Sequence, residues 1–137
     1  MAGYSGTPLI KKLGIKEGFR MAVFNPPEGY LKLLGKLPLG VEMTPSLKHP
    51  LDFIHYFAPS RADYEKSLPS LKKALALNGM IWVSWPKAAS KVPTDVTEKV
   101  VRDFALKTGL VDIKVCAVDE TWSGLKLVIP VKDRMNP

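Results

Sequence analysis

Four segments of this sequence place charged, amide and aromatic side chains at the ends of apolar stretches: residues 25–30, 57–60, 84–91 and 119–123. Aromatic walls with a few charged groups suit the binding of a small polar or anionic ligand. We predict that the ligand-binding residues are Asn25, Glu28, Tyr30, Trp85, Lys87, Asp119, Glu120 and Trp122.

Each candidate also has a structural alternative. Trp85, before a proline, would serve equally well as a cap on the core, and Trp122 would pack over a hairpin. Lys87 would either bind an anion or remain solvated. Asp119 and Glu120 would form a carboxylate pair for a cation or for proton transfer, although loop acids beside Thr and Ser often make turn hydrogen bonds instead.

Residue types that support catalysis are otherwise poorly placed. His55 lies between Ile54 and Tyr56, which favours a hydrogen-bonded core histidine over a base or a ligand. Cys116 is expected inside a strand, where a thiol behaves as a small hydrophobe. The sequence contains no zinc-ligand spacing, no nucleophile elbow and no phosphate-binding glycine loop. We therefore predict no catalytic residue and no metal site.

The stretch from Leu68 to Lys87, LPSLKKALALNGMIWVSWPK, organises the elements that position these residues. It predicts the end of a helix over 61–76, a turn at Asn78-Gly79 and a buried strand over 80–83. Ser60 is the expected N-cap, and Pro69 predicts a kink or break near Leu68.

The remaining elements follow from similar patterns. In the arm over 1–18, Thr7 is expected to cap a helix that begins at Pro8 and ends at Gly14. Asp95 and Glu98 predict the start of another helix by their capping-box spacing. The other predicted strands are 19–24, 41–44, 51–57, 110–118 and 125–131; a loop over 119–124 precedes the last one, and a frayed tail over 132–137 follows it.

This order of elements predicts a single α/β domain over residues 1–137. Alternating strands and helices indicate a mainly parallel sheet between helical layers. A short loop between the last two strands predicts an antiparallel hairpin. The fold class is therefore a three-layer, Rossmann-like α/β fold whose sheet ends in that hairpin.

The segment LKKALALNGMIWVSW resembles the fifth-strand region of class I methyltransferases, and the pattern extends over 19–131, with one strand–helix unit near 35–50 reduced. The resemblance implies an S-adenosylmethionine site with a glycine-rich turn after the first strand and an acid at the end of the second. Here the turn is Asn25-Pro26-Pro27-Glu28-Gly29, and Glu42 is the candidate acid. Because prolines offer no N–H, the sequence favours a domain without methyltransferase activity and without a cofactor. The alternative is an active methyltransferase with an atypical cofactor turn.

The opening AGYSGTPL and the closing LVDIKVCAVDETWSGLKLV resemble a bacterial family of small proteins of unknown function. That resemblance spans nearly the whole chain and implies one self-contained domain and no particular activity.

The net charge of +7 allows a nucleic-acid partner, but the lysines are spread along the chain and mixed with acids. A single cysteine fits the reducing cytoplasm, and no apolar run is long enough to span a membrane. We expect a cytoplasmic domain that binds a small ligand or a protein partner at the carboxyl edge of its sheet. Nucleic-acid binding through a basic surface is the further alternative.

Overall fold

The computed structural model describes residues 7–134. Its strands are β1 (Arg20–Phe24), β2 (Glu42–Met43), β3 (Leu51–Phe57), β4 (Leu75–Pro86), β5 (Val111–Ala117) and β6 (Trp122–Val128). Its helices are α1 (Leu9–Leu13), α2 (Tyr30–Leu34), α3 (Arg61–Ala74), α4 (Glu98–Thr108) and α5 (Val131–Arg134), with a 3₁₀ turn at Ala88–Ser90.

The six strands form one sheet in the order β2-β1-β3-β4-β6-β5. The first four run parallel, and β6 runs antiparallel to both β4 and β5. Helices cover both faces, so the predicted three-layer α/β fold with a terminal hairpin is confirmed. Strand β4 has a parallel neighbour on one side only, since β6 packs against its other edge.

Helices α3 and α4 cover one face of the sheet, and their buried residues join a single core cluster with Ile54, Ile81 and Leu125. The Ser60 hydroxyl accepts a hydrogen bond from the Asp63 amide at 3.1 Å, which confirms the predicted cap of α3.

Helix α4 begins later than predicted. Its N-cap is Thr97, which accepts from the Val100 amide at 3.2 Å. Asp95 instead accepts from the backbone amide of Arg61 at 2.8 Å, so it ties the preceding loop to the start of α3. The predicted capping box was therefore wrong, because the carboxylate has a partner on another element.

Helices α1 and α2, of five residues each, cover the other face. Leu13 of α1 and Tyr30 of α2 are buried there against Phe53 and Trp82. Pro8 precedes α1 rather than beginning it, and Gly14 ends the helix in the left-handed conformation as predicted. Residues 1–6 of the predicted arm lie outside the described part of the chain.

The predicted turn at Asn78-Gly79 was wrong, because both residues lie within β4. The register between β3 and β4 shifts there: Leu51 pairs with Leu75, whereas Phe53 pairs with Met80. A Cβ on Gly79 would stand 2.7 Å from the Leu51 carbonyl oxygen. The glycine therefore permits a close approach of two strands at an irregularity.

Three further boundaries differ from the prediction. A kink or a break was expected near Leu68; helix α3 does not break but continues through Pro69, and it ends at Ala74. Strand β6 begins at Trp122 and ends at Val128, three residues earlier at each end than predicted. The start of the expected frayed tail, residues 132–134, belongs to α5, and residues 135–137 lie outside the described part.

Between α2 and β3 the two-residue strand β2 is the only regular element, in agreement with the predicted reduction of one strand–helix unit. None of the helices within residues 7–134 has the length and apolar character needed to cross a membrane.

Candidate functional site

A cavity of about 300 Å³ opens between the turn after β1 and the loop joining β5 to β6. We call it the rim pocket; it is lined by Pro27, Glu28, Gly29, Tyr30, Leu33, Asp119, Glu120 and Thr121. Four of the eight predicted residues, Glu28, Tyr30, Asp119 and Glu120, meet here. The lining contains three carboxylates and no lysine or arginine, so its electrostatics favour a cation or a hydrogen-bond donor over an anion.

An aromatic cluster supports both walls of the rim pocket. The ring of Tyr30 meets Phe57 edge-on at 5.0 Å, and Trp122 meets the same ring edge-on at 5.2 Å. His55 stacks on Phe57 at 4.1 Å. The turn after β1 and the hairpin are thus fixed to one strand, β3. The predicted candidate Trp122 packs on Phe57 and is not one of the residues that line the pocket.

Asp119 shapes the hairpin loop. Its Oδ1 accepts hydrogen bonds from the amides of Thr121 at 2.8 Å and Trp122 at 2.7 Å. This is the turn-forming alternative for a loop acid. Glu120, which is exposed, and Glu28, also exposed, are the carboxylates of the lining for which the structure records no such bond.

The other predicted residues lie elsewhere on the carboxyl edge. Asn25 donates from Nδ2 to the Phe57 carbonyl at 3.3 Å and lines a separate cavity of about 420 Å³ beside Tyr56. Trp85 is buried in the core and lines a third cavity of about 450 Å³. The Lys87 amide donates to the Thr121 carbonyl at 2.9 Å, and its side chain lines none of these cavities.

His55 is fully buried and hydrogen-bonded on both ring nitrogens. Its Nδ1 lies 2.6 Å from the Tyr30 hydroxyl, and its Nε2 lies 2.7 Å from the Ser84 hydroxyl. A neutral ring offers one N–H and one lone pair, so one hydroxyl accepts and the other donates. Burial lowers the pKa of His55 to about 3, which keeps the ring neutral, and the predicted core histidine is confirmed.

The turn after β1 decides whether the cofactor implied by the fold would fit. Pro26 and Pro27 have no N–H, and Asn25 occupies the left-handed region with a φ of 57°. Gly29 also has a positive φ, but a Cβ there would meet no atom within 4 Å. The turn therefore lacks the run of backbone donors that a nucleotide-binding turn presents to its ligand.

Glu42 does not supply the missing acid. It pairs with Arg20 at the start of β1, four residues before the strand ends at Phe24. At about 3.3 Å per residue it lies roughly 13 Å from the carboxyl edge. Its carboxylate is 3.4 Å from Arg20 Nε, and the chain from 43 to 51 contains no acid. The residues present do not fit S-adenosylmethionine in the manner of class I methyltransferases.

No group of three or more His, Cys, Asp or Glu side chains within residues 7–134 is arranged to hold a metal ion.

Sequence reasoning missed two features of this edge. Leu33 and Thr121 complete the rim pocket but carry no pattern of their own. Ser84 is the partner of His55, and its signal was available: His55 interrupts the apolar run 53–57 of β3, and Ser84 interrupts the apolar run 80–85 of β4.

No protein-family model matches the sequence, and no curated protein matches it. Solved structures do match. A SAM-dependent methyltransferase from Aquifex aeolicus superposes with a TM-score of 0.60 at 17% identity, covering 89% of this chain and 88% of that one. A TehB-like SAM-dependent methyltransferase from Corynebacterium glutamicum gives 0.55 at 12% identity, covering 89% and 85%.

TrmN from Thermus thermophilus also matches, with a TM-score of 0.55 at 12% identity over 89% of this chain and 47% of that one. The chain thus spans about half the length of TrmN. At these identities the likeness shows the fold: a Rossmann-like methyltransferase fold. The resemblance to a bacterial family of small proteins stays a prediction.

Proposed function

We propose that this chain is a methyltransferase-like domain that does not transfer methyl groups and that binds a small organic amine in the rim pocket. The proposed lack of methyl transfer rests on the positions of Glu42 and of the two prolines, Pro26 and Pro27. The chain retains the scaffold but lacks both the donor-rich turn and the acid that would hold the cofactor.

The proposed binding of an organic amine rests on the carboxylates that line the rim pocket and on its volume. Glu28 and Glu120 are exposed at its mouth, and Asp119 adds a third carboxylate. A volume of about 300 Å³ is at the small end of ligand sites. Carboxylates on opposite walls suit a ligand with an ammonium or guanidinium group, since each charge-assisted hydrogen bond to such a group is stronger than a neutral one.

A titration with agmatine, which carries one amine and one guanidinium, tests the site in amide-resolved NMR spectra. We expect saturable shifts confined to the amides of Glu28, Gly29, Glu120 and Thr121, and Glu28→Gln should weaken binding by about ten-fold. Glu17→Gln is the matched control, because Glu17 is exposed and precedes β1 at the opposite edge of the sheet. Shifts scattered over the surface, or equal losses in both variants, would contradict an amine site.

A further inference from the structure

A second charged feature lies on the face covered by α1, away from the lining of the rim pocket. Lys114 of β5 and Lys126 of β6 are direct cross-strand partners, and so project from the same face of the sheet. Lys126 also pairs with Trp82 of β4, whose side chain packs against α1. This fixes the lysine pair on the α1 face.

Two more lysines, one in α1 and one shortly after it, lie near the Lys114–Lys126 pair. Lys12 donates from Nζ to the Ala117 carbonyl at 2.8 Å, at the end of β5. Lys16, which is exposed, acts electrostatically on Lys126. We call Lys12, Lys16, Lys114 and Lys126 the lysine cluster.

In the described part of the chain, no recorded ion pair includes a residue of the lysine cluster. Within residues 7–134 every recorded ion pair involves other cations, for example Lys99 with Asp103 at 2.6 Å. Like charges directly opposite on antiparallel strands destabilise a sheet. Partial burial, together with Lys114 and Lys16, lowers the pKa of Lys126, which is the effect expected of an uncompensated positive neighbourhood.

We infer that the lysine cluster is a binding site for an oligophosphate, either free or as the phosphate chain of a nucleotide. The cluster runs from Lys114 to the Ala117 carbonyl, three residues along β5, which is about 10 Å. That length suits several linked phosphates rather than one. Trp82, the aromatic neighbour of Lys126, is fully buried and so offers no surface on which a base could stack.

Calorimetry with tripolyphosphate tests this inference, which does not depend on the proposed function. In low salt we expect saturable binding that weakens strongly at about 200 mM salt, because the attraction is screened. Lys114→Gln with Lys126→Gln should weaken it at least ten-fold. Lys73→Gln with Lys107→Gln, an equal charge change on α3 and α4, should change it less than two-fold.

Thermal melting provides the folding control. Because the repulsion between the two lysines is removed, the Lys114→Gln, Lys126→Gln protein should be folded and have an equal or higher Tm. Tripolyphosphate should raise the Tm of the parent protein but not that of this double variant. ATP binding as tightly as tripolyphosphate would support recognition of the phosphate chain. Equal binding by both double variants, no saturable binding in low salt, or tighter binding of a single-stranded RNA through the same lysines would overturn the inference.

Discussion

Helices α3 and α4, of 14 and 11 residues, lie on one face of the sheet, and the five-residue helices α1 and α2 lie on the other. The long helices have side-chain caps and bury regularly spaced apolar residues. The short helices have no side-chain cap bond, and their face is held by hydrogen bonds between buried groups.

The difference shows where this fold departs from an ordinary α/β domain. On the α3–α4 face, local sequence determines the helices and packing follows from their amphipathic pattern. On the α1–α2 face, five residues are too few to form a stable helix alone. Its structure depends on long-range contacts such as the hydrogen bond from Trp82 Nε1 to the Leu13 carbonyl at 2.8 Å. The lysine cluster lies on this face, and residues of α2 line the rim pocket.

The largest expected effect is at Trp82, which is fully buried and donates to α1. Trp82→Ala should cost about 3–5 kcal/mol of unfolding free energy, because it removes a large core side chain and leaves a buried carbonyl unpaired. Phe104→Ala on α4, where the ring is partly exposed, should cost clearly less. Urea denaturation measures both, and equal losses would remove the distinction between the two faces.

The pH dependence of stability tests the histidine on the α1–α2 face. The pKa of His55 is about 3 in the folded chain and near 6.5 when unfolded. The unfolded state therefore binds more protons between these values, so stability is full above pH 6.5 and falls as the pH drops toward 3. Two pH units below 6.5 the loss should reach about 3 kcal/mol. NMR of the ring protons checks the cause: the ring should stay neutral at pH 4.5, and titration near 6.5 would refute it.

A matched pair of tyrosines compares the faces directly. Tyr30→Phe leaves a ring nitrogen of His55 without its partner and should cost about 2 kcal/mol. Tyr64→Phe removes the hydrogen bond of 2.7 Å from the Tyr64 hydroxyl to the Val101 carbonyl. Because Val101 lies within helix α4, its carbonyl still accepts a hydrogen bond from a backbone amide of that helix. We expect about 1 kcal/mol there by chemical denaturation. A larger loss for Tyr64→Phe than for Tyr30→Phe would count against a stabilising role of the hydrogen bonds between Tyr30, His55 and Ser84.

The smallest effects should come from the helix caps of α3 and α4. Ser60→Ala and Thr97→Ala each remove one acceptor for a helix amide and should cost about 1 kcal/mol. Thermal melting with Ser46→Ala as an exposed loop control would measure this. Losses no larger than the control's would mean that local capping contributes little even on this face.

Local pattern predicted part of this molecule well. Strand β3 has the predicted bounds, Leu51–Phe57, because a mainly apolar run lies between proline-marked turns at Pro50 and Pro59. Ser60 caps α3, and Gly14 ends α1 in the left-handed conformation. These features depend on neighbours along the chain.

The errors arose where a distant contact outweighs a local preference. Gly79 belongs to a strand because Leu51 approaches it, not because Asn-Gly forms a turn. Trp122 begins β6 because Asp119 tightens the hairpin and the Val118 amide reaches the Trp122 carbonyl at 2.8 Å. The eight candidate residues follow strands that end at one edge of the sheet, but sequence order could not show that Asn25 and Trp85 would line cavities separate from the rim pocket.

The most direct test of the central claim is calorimetry of the intact chain with S-adenosylmethionine. The proline turn and the displaced Glu42 predict no saturable heat up to about 1 mM cofactor, a limit that corresponds to roughly −4 kcal/mol of binding free energy. Micromolar binding that Glu28→Gln or Glu42→Gln weakens would contradict the claim and show that the turn still holds the cofactor.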